Sequence, residues 1–321
     1  MLHPTMQEFF DHLLLAGKAE TVRGYSTGLL RFAAWLEREH LEALLVTTEH
    51  LRAFQRYLAE DYRAADGRPL ARSTQVTRLS ALKAYYGWLY RRGLLVSDPA
   101  AQVRLPRVPK GLVRKDYLSL QEATALLQTQ ARYVRSLPSG SRLWAAECRN
   151  LAILCLALAT GRRRSGLLNL NLSNLDFERS ELRCEREKGA QGRVLPVARW
   201  ALAIAQEYAQ RARPVLLKGN TQRLFITRRS PAIDAETVSQ MLARVVARTV
   251  AENPDLDGLP AKHISMHSLR VTFAKLVFDG GCNIRSVNEL LLHQRLGTTA
   301  RYTPLPLEDL RRACRRAHPR G

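Results

Sequence analysis

The chain has 321 residues, and 50 Lys and Arg against 29 Asp and Glu leave a formal net charge of +21. An apolar share of 46% excludes general disorder, and the absence of a run of about 18 apolar residues predicts no membrane span. Five cysteines (148, 155, 184, 282 and 314) lack paired metal spacing and are odd in number, which favours reduced thiols in a cytoplasmic protein without a metal site.

The opening MLHPTMQEFFDH carries acids and no basic segment ahead of an apolar one, so no signal peptide is expected. A short helix is predicted over Met6–Leu15. Val22, Tyr25, Leu29, Phe32, Ala33 and Leu36 recur at spacings of three and four, the apolar stripe of a helix starting near Thr21. Leu51, Phe54, Leu58 and Tyr62 form a second stripe behind the possible N-caps Thr47 and Thr48. Val76, Leu79, Leu82, Tyr86 and Leu89 form a third after Ser73. These four helices make a small N-terminal unit over residues 1–103, its aromatics read as core. Arg72, Arg78 and Lys83 are assigned to polar faces, as phosphate contacts or simply as solvated charges.

Helical pattern stops at Arg92–Gly93. Prolines at 99, 106 and 109 then bias the chain towards extended structure. Residues 104–116 read as an interdomain linker, and their basic residues, Lys110 among them, suit a strap along a DNA backbone as well as a merely soluble linker. A second domain is expected over 117–321. It opens on the capping box Ser119-Leu-Gln-Glu122. A long apolar helix covers about Trp144–Ala159 and stops at Thr160–Gly161, and a shorter one follows over 162–172. NLDF, ELRCE and RVLPV around the turn segment KGAQG predict a small antiparallel sheet. Helices return at about 198–213, 236–251, 267–280, 284–292 and 306–317. The fold class is therefore mainly α: a four-helix N-terminal domain and a mostly helical α+β domain with one small sheet.

Of the cations, 42 are Arg and 8 are Lys. Arg makes planar, bidentate contacts to phosphate, although GC-rich coding also favours it. Residues 1–116 carry +6 and the remainder +15, so both parts are basic, as two domains gripping one duplex would be. No basic amphipathic terminus with exposed Trp or Phe supports a membrane-surface role.

The eight histidines leave residues 51–262 empty. His267 then opens HSLR, one helical turn from Arg270 on the same face. His293 follows LLL, and Tyr302 stands nine residues later in TTARYT. Singly, each has an ordinary reading as a cap or a packing residue.

The order TG-x-R, a hairpin Lys, H-x-L-R, a His and a later Tyr resembles the tyrosine recombinase (phage-integrase-type) family, the bacterial Xer-like branch most of all. STQVTRLSALKAYYGWLYRRGLLVSDPA leading into LPRVPK resembles that family's core-binding, SAM-like domain. RNLAILCLALATGRRRSGLLNL, EKGAQGRVLPV, ISMHSLRVTFAKLVFDGG and VNELLLHQRLGTTARYT resemble its catalytic domain. The resemblance implies catalytic roles for Arg163, Lys188, His267, Arg270, His293 and the nucleophile Tyr302. Tyr302 would attack a DNA phosphate, forming a covalent 3′-phosphotyrosyl link and releasing a 5′-hydroxyl. A phenol of pKa near 10 needs a proton acceptor, and His267 is the candidate. Arg163 and Arg270 would clamp the non-bridging oxygens, with a further hydrogen bond from His293, and Lys188 would protonate the leaving 5′ oxygen. No metal and no other cofactor is implied.

The resemblance further implies a double-stranded DNA recombination site as partner, strand exchange through a Holliday junction, and a homotetramer or a heterotetramer with a related recombinase. The last helix would dock on the next protomer, and the protein would be cytoplasmic and nucleoid-associated. Four positions depart from the family pattern: Gly166 replaces the usual Glu, Leu292 a Gly, Glu187 precedes Lys188, and Gln191 replaces the second hairpin Lys. Gly166 and Leu292 leave open a non-catalytic DNA-binding accessory protein on the same fold. A type IB topoisomerase shares the chemistry but not the N-terminal domain.

Overall fold

The computed structural model describes residues 2–64, 67–108, 116–184, 192–291, 311, 312, 314 and 315. The chain divides into two compact units, Met1–Val113 and Arg114–Gly321. The division falls inside the stretch read as a linker.

The first unit is built from α1 (Pro4–Leu15), α2 (Ala19–Arg38), α3 (Thr48–Glu60) and α4 (Arg72–Arg91). α2 starts two residues before Thr21, without a side-chain cap. α3 is capped by Thr47, whose hydroxyl accepts from the His50 N–H while His50 Nδ1 accepts from the Thr47 N–H. The expected aromatic stripes meet in one core. Phe32 and Phe54 pack edge-on at 4.9 Å, and Tyr85 and Tyr86 are fully buried. Such aromatic pairs each add about 0.5–1.5 kcal/mol beyond the area they bury. Gly28 lets α2 close on α4, because a Cβ there would lie 3.1 Å from the Arg78 Cα.

The stretch after α4 returns across the unit. The Thr48 hydroxyl donates to the Pro99 carbonyl at 2.9 Å, and Gln55 Nε2 to the Arg104 carbonyl at 3.1 Å. Lys83 Nζ donates to the carbonyls of Ala100, Ala101 and Val103.

The second unit is organised around α6 (Arg142–Thr160), which follows α5 (Leu120–Ser136). The Ser119–Glu122 capping box forms as expected. By length and composition α6 could cross a membrane, which the sequence alone did not predict, yet 89% of its apolar window is buried inside the fold. It is a core helix contacted from several sides by α5, α8 and α11. Truncating one of its buried leucines to Ala would cost about 2–5 kcal/mol.

The helix expected over 162–172 is shorter. α7 spans Arg164–Leu168, and a 3-10 turn follows at Leu172–Asn174. β1 (Leu175–Asp176), β2 (Glu181–Cys184) and β3 (Arg193–Pro196) form the expected antiparallel sheet, with Leu182 opposite Leu175 on one side and Leu195 on the other. α8 (Arg199–Glu207) passes through a π-helical turn at Tyr208–Ala212 into α9 (Arg213–Leu216). Pro214 has no N–H to give the regular helical register, which suits the wider turn before it. α10 (Ala235–Glu252), α11 (Met266–Asp279) and α12 (Ile284–Leu290) complete the unit. Of the helix expected over 306–317, Arg311, Arg312, Cys314 and Arg315 are helical. Arg311 pairs with Glu181 at 2.7 Å, and Cys314 is buried in a cluster with Phe273, Val277 and Cys282. All five cysteines are buried, and none of them forms a disulfide.

Candidate active site and nucleic-acid interface

The site begins where α6 stops. Gly161 takes the left-handed conformation (φ 57°, ψ 22°), and its N–H donates to the Ala157 carbonyl. A side chain here has no room. A Cβ would lie 2.3 Å from Phe273 Cδ1 and 2.9 Å from Leu291 Cδ2. The chain then turns through buried Arg162 to exposed Arg163, the N-cap residue of α7.

His267 and Arg270 come from the first turns of α11. Ser265 caps that helix, its hydroxyl accepting from the Ser268 N–H at 3.2 Å, and the Ser268 hydroxyl accepts in return from the Ser265 N–H at 3.1 Å. His267 is exposed, whereas Arg270 is 5% exposed. Arg270 Nη1 donates to the Gly161 carbonyl at 2.7 Å and Nη2 to the Leu291 carbonyl at 2.6 Å. One guanidinium thus joins the end of α6 to the end of α12. It brings H-x-x-R beside the turn that carries Arg163 and beside the backbone two residues before His293. Lys188, His293 and Tyr302 lie outside the described residues, as does Lys110.

A buckle that sequence reasoning missed holds the entry to α11. Lys262 Nζ donates to both Glu122 carboxylate oxygens, at 2.7 and 2.6 Å, and Glu122 also accepts from the Ser119 N–H at 2.6 Å. Burial pushes the Glu122 carboxyl up, but the Lys262 ammonium and the Ser119 N–H more than offset this and hold it below its ordinary value. Asp116 accepts from the His263 N–H at 2.9 Å, and the Leu118 N–H donates to the Thr272 hydroxyl at 2.9 Å. The start of the second unit therefore braces the segment that aims His267 and Arg270. No local sequence signal pairs residues 140 positions apart.

The first unit carries a basic groove of about 1120 Å³ between α3, the start of α4 and the strap after it. Arg52, Arg56, Arg72, Arg104 and Arg107 line it, with Glu60 the one carboxylate among its lining residues. Arg72 is thus exposed on a cationic surface, as expected. The placement of Arg78 and Lys83 on open polar faces is corrected. Arg78 is 9% exposed, and its guanidinium lies 4.7 Å from the centre of the Tyr62 ring, with Arg31 over the same ring at 4.6 Å. Lys83 is half-buried, and its ammonium is turned onto backbone carbonyls of residues 100–103. The helical period carries no information about the strap and ring that cover them.

Comparison with known proteins shows the family and the fold. Residues 118–306 match the phage integrase family, and residues 6–93 match the phage integrase N-terminal SAM-like domain. The chain is 32% identical over 316 residues to tyrosine recombinase XerC 2 of Ralstonia nicotianae, covering 98% of this chain and 85% of the relative. It is 30% identical to tyrosine recombinase XerD of Corynebacterium glutamicum, over 94% of this chain and 93% of the relative. Among solved structures, XerH site-specific recombinase bound to difH substrate is similar in fold, with a TM-score of 0.62 over 86% of this chain and 74% of that one, at 17% identity. A lambda integrase dimer bound to a COC′ core site has a TM-score of 0.58 over 95% of this chain and 99% of that one, at 18% identity.

Proposed function

The chain belongs to the phage integrase family and is a tyrosine site-specific recombinase, a premise from which we propose how its own residues act. Tyr302 attacks the scissile phosphorus, the P–O5′ bond breaks, and the strand is held as a 3′-phosphotyrosine. His267 takes the phenolic proton, and Lys188 gives one to the departing 5′ oxygen. As charge builds on the non-bridging oxygens, Arg163 and Arg270 stabilise it, with His293 adding a hydrogen bond. Losing one such preorganised donor costs about 2.7–4 kcal/mol of barrier, or about 10²–10³ in rate. The phosphotyrosine conserves the bond energy until a second 5′-hydroxyl attacks, so rejoining needs no nucleotide. Neither this sequence of proton transfers nor the donor set calls for a metal ion.

The observation that carries this reading is the double tie of Arg270 to the Gly161 and Leu291 carbonyls. It gathers three separate stretches of the motif at one point. An accessory protein that only bound DNA would have no use for the nucleophilic Tyr302 that follows these stretches in the motif. The partner is double-stranded DNA, engaged by a multimer of recombinases. We assign the finer arrangement to four protomers, alike or paired with a related recombinase, exchanging strands through a Holliday junction. The cell compartment that fits is the cytoplasm, at the nucleoid. The basic groove around Arg72 supplies phosphate contacts in the first unit, and Lys110 extends them along the strap.

Replacing Tyr302 by Phe tests the nucleophile. On a nicked suicide duplex carrying the recombination site, Tyr302→Phe should retain binding and form no covalent complex on a denaturing gel. Covalent trapping by that variant would overturn the assignment.

A further inference from the structure

The second unit holds another cationic concavity, of about 600 Å³, at the far end of α6 from Arg163. Arg142, Lys218, Arg228 and Arg229 line it together with Thr227, Ser230 and Pro231. All four cations are exposed, and none has a carboxylate partner among the described residues. The local sequence sharpens the bias. Between Glu207 and Asp234 there is no acidic residue, and six basic ones occur. Such an accumulation of like charge is unfavourable in the isolated protein unless a polyanion relieves it.

The loop that presents it is anchored. Phe225 and Ile226 are buried, and the Ile233 N–H donates to the Phe225 carbonyl at 3.1 Å. Buried Arg149, inside α6, donates to the Ile226 carbonyl at 2.9 Å, and the Tyr208 hydroxyl donates to the Leu224 carbonyl at 3.1 Å. The Ser230 N–H donates to the Thr227 hydroxyl at 2.9 Å, closing a turn with Arg228 and Arg229 at its tip. Two arginines on an anchored tip lose little further freedom on binding a polyanion. Arg142 adds a third cation at the α6 N-terminus, where the helix dipole also favours negative charge.

We propose that this patch binds the phosphate backbone of the outer arm of the duplex whose scissile phosphate lies at Arg163. The inference rests on the recombinase reading and extends it to a second contact. Arg142 and Thr160 are 18 residues apart on α6, which is about five turns, so they share one side of the helix about 27 Å apart along its axis. At about 3.4 Å per base pair, a duplex running on parallel to α6 reaches the patch about eight base pairs beyond the cleavage point.

Binding to a fluorescein-labelled 30-base-pair duplex of mixed sequence, measured by anisotropy across a salt series, tests this. Arg228→Ala/Arg229→Ala should lower the steepness of log K against log salt by about two, since each phosphate contact contributes about 0.9. Arg228→Lys/Arg229→Lys should retain it. The control Arg23→Ala/Arg38→Ala removes two exposed arginines that are paired with Glu20 and Glu39, and should leave the slope unchanged. An unchanged slope in Arg228→Ala/Arg229→Ala, as a site for an acidic protein would give, overturns the proposal, and so does an equal loss in the control. No duplex binding by the unaltered chain would defeat the recombinase reading itself, an outcome distinct from failure of the patch alone.

Discussion

Gly161 is where backbone conformation and packing make the same demand. A positive φ costs a non-glycine residue about 1–2 kcal/mol, and the Phe273 ring stands where a Cβ would go. Gly161→Ala should therefore destabilise the protein by about 2–4 kcal/mol in urea unfolding and displace the Arg163 turn, lowering strand cleavage as well. The TG-x-R string shows in sequence that a helix ends there. Only the structure shows that the Gly161 carbonyl is one of two anchors for Arg270. Spacing alone puts Arg270 one helical turn from His267, and its phosphate-binding role is what the family's H-x-x-R pair implies. Its structural half was not legible, because backbone acceptors look the same at every position in a sequence.

At the level of elements, the capping boxes separate what local sequence reveals from what it hides. Ser119 and Glu122 form a recognisable start signal, and they do cap α5. The same Glu122 also receives Lys262 from the segment before α11, so one carboxylate caps one helix and braces another. Its folded-state pKa lies below its ordinary value, so the pair stabilises fully above the ordinary carboxylate range. That contribution is lost as pH falls through the lowered folded value. Glu122→Gln should remove this part of the acid sensitivity and cost about 2–3 kcal/mol at neutral pH, read as urea midpoints between pH 3 and 7. His50 was missed as the capping partner of Thr47 because the usual box carries Glu or Gln at that place. The π-turn between α8 and α9 was likewise absorbed into a single predicted helix, since apolar periodicity does not register one extra residue in a turn.

For the whole molecule, the net charge of +21 predicts duplex binding that weakens steeply with salt. The arginines are not equivalent in this. Arg72→Ala should reduce the salt slope by about one, because Arg72 is exposed in the groove with Arg56, Arg104 and Arg107. Lys83→Met should leave that slope alone and destabilise the first unit by about 2 kcal/mol, because it removes the donor that holds residues 100–103 against α4. Anisotropy titrations and thermal unfolding on the two variants separate a phosphate contact from a structural cation.

The sequence alone determined the mostly helical class, the small sheet, the caps at Thr47 and Ser119 and the family to which the chain belongs. Those features rest on periodicity, local hydrogen bonding and motif order, all of which act over a few residues or keep their order along the chain. The tertiary structure decided which cations face outward, what Arg270 joins together and what braces the entry to α11. It did so because burial, carbonyl acceptors and ion pairs depend on neighbours distant in sequence. Arg72 and Lys83 read alike in the helix that carries them, and the path of the strap after that helix makes one a surface charge and the other a structural tie.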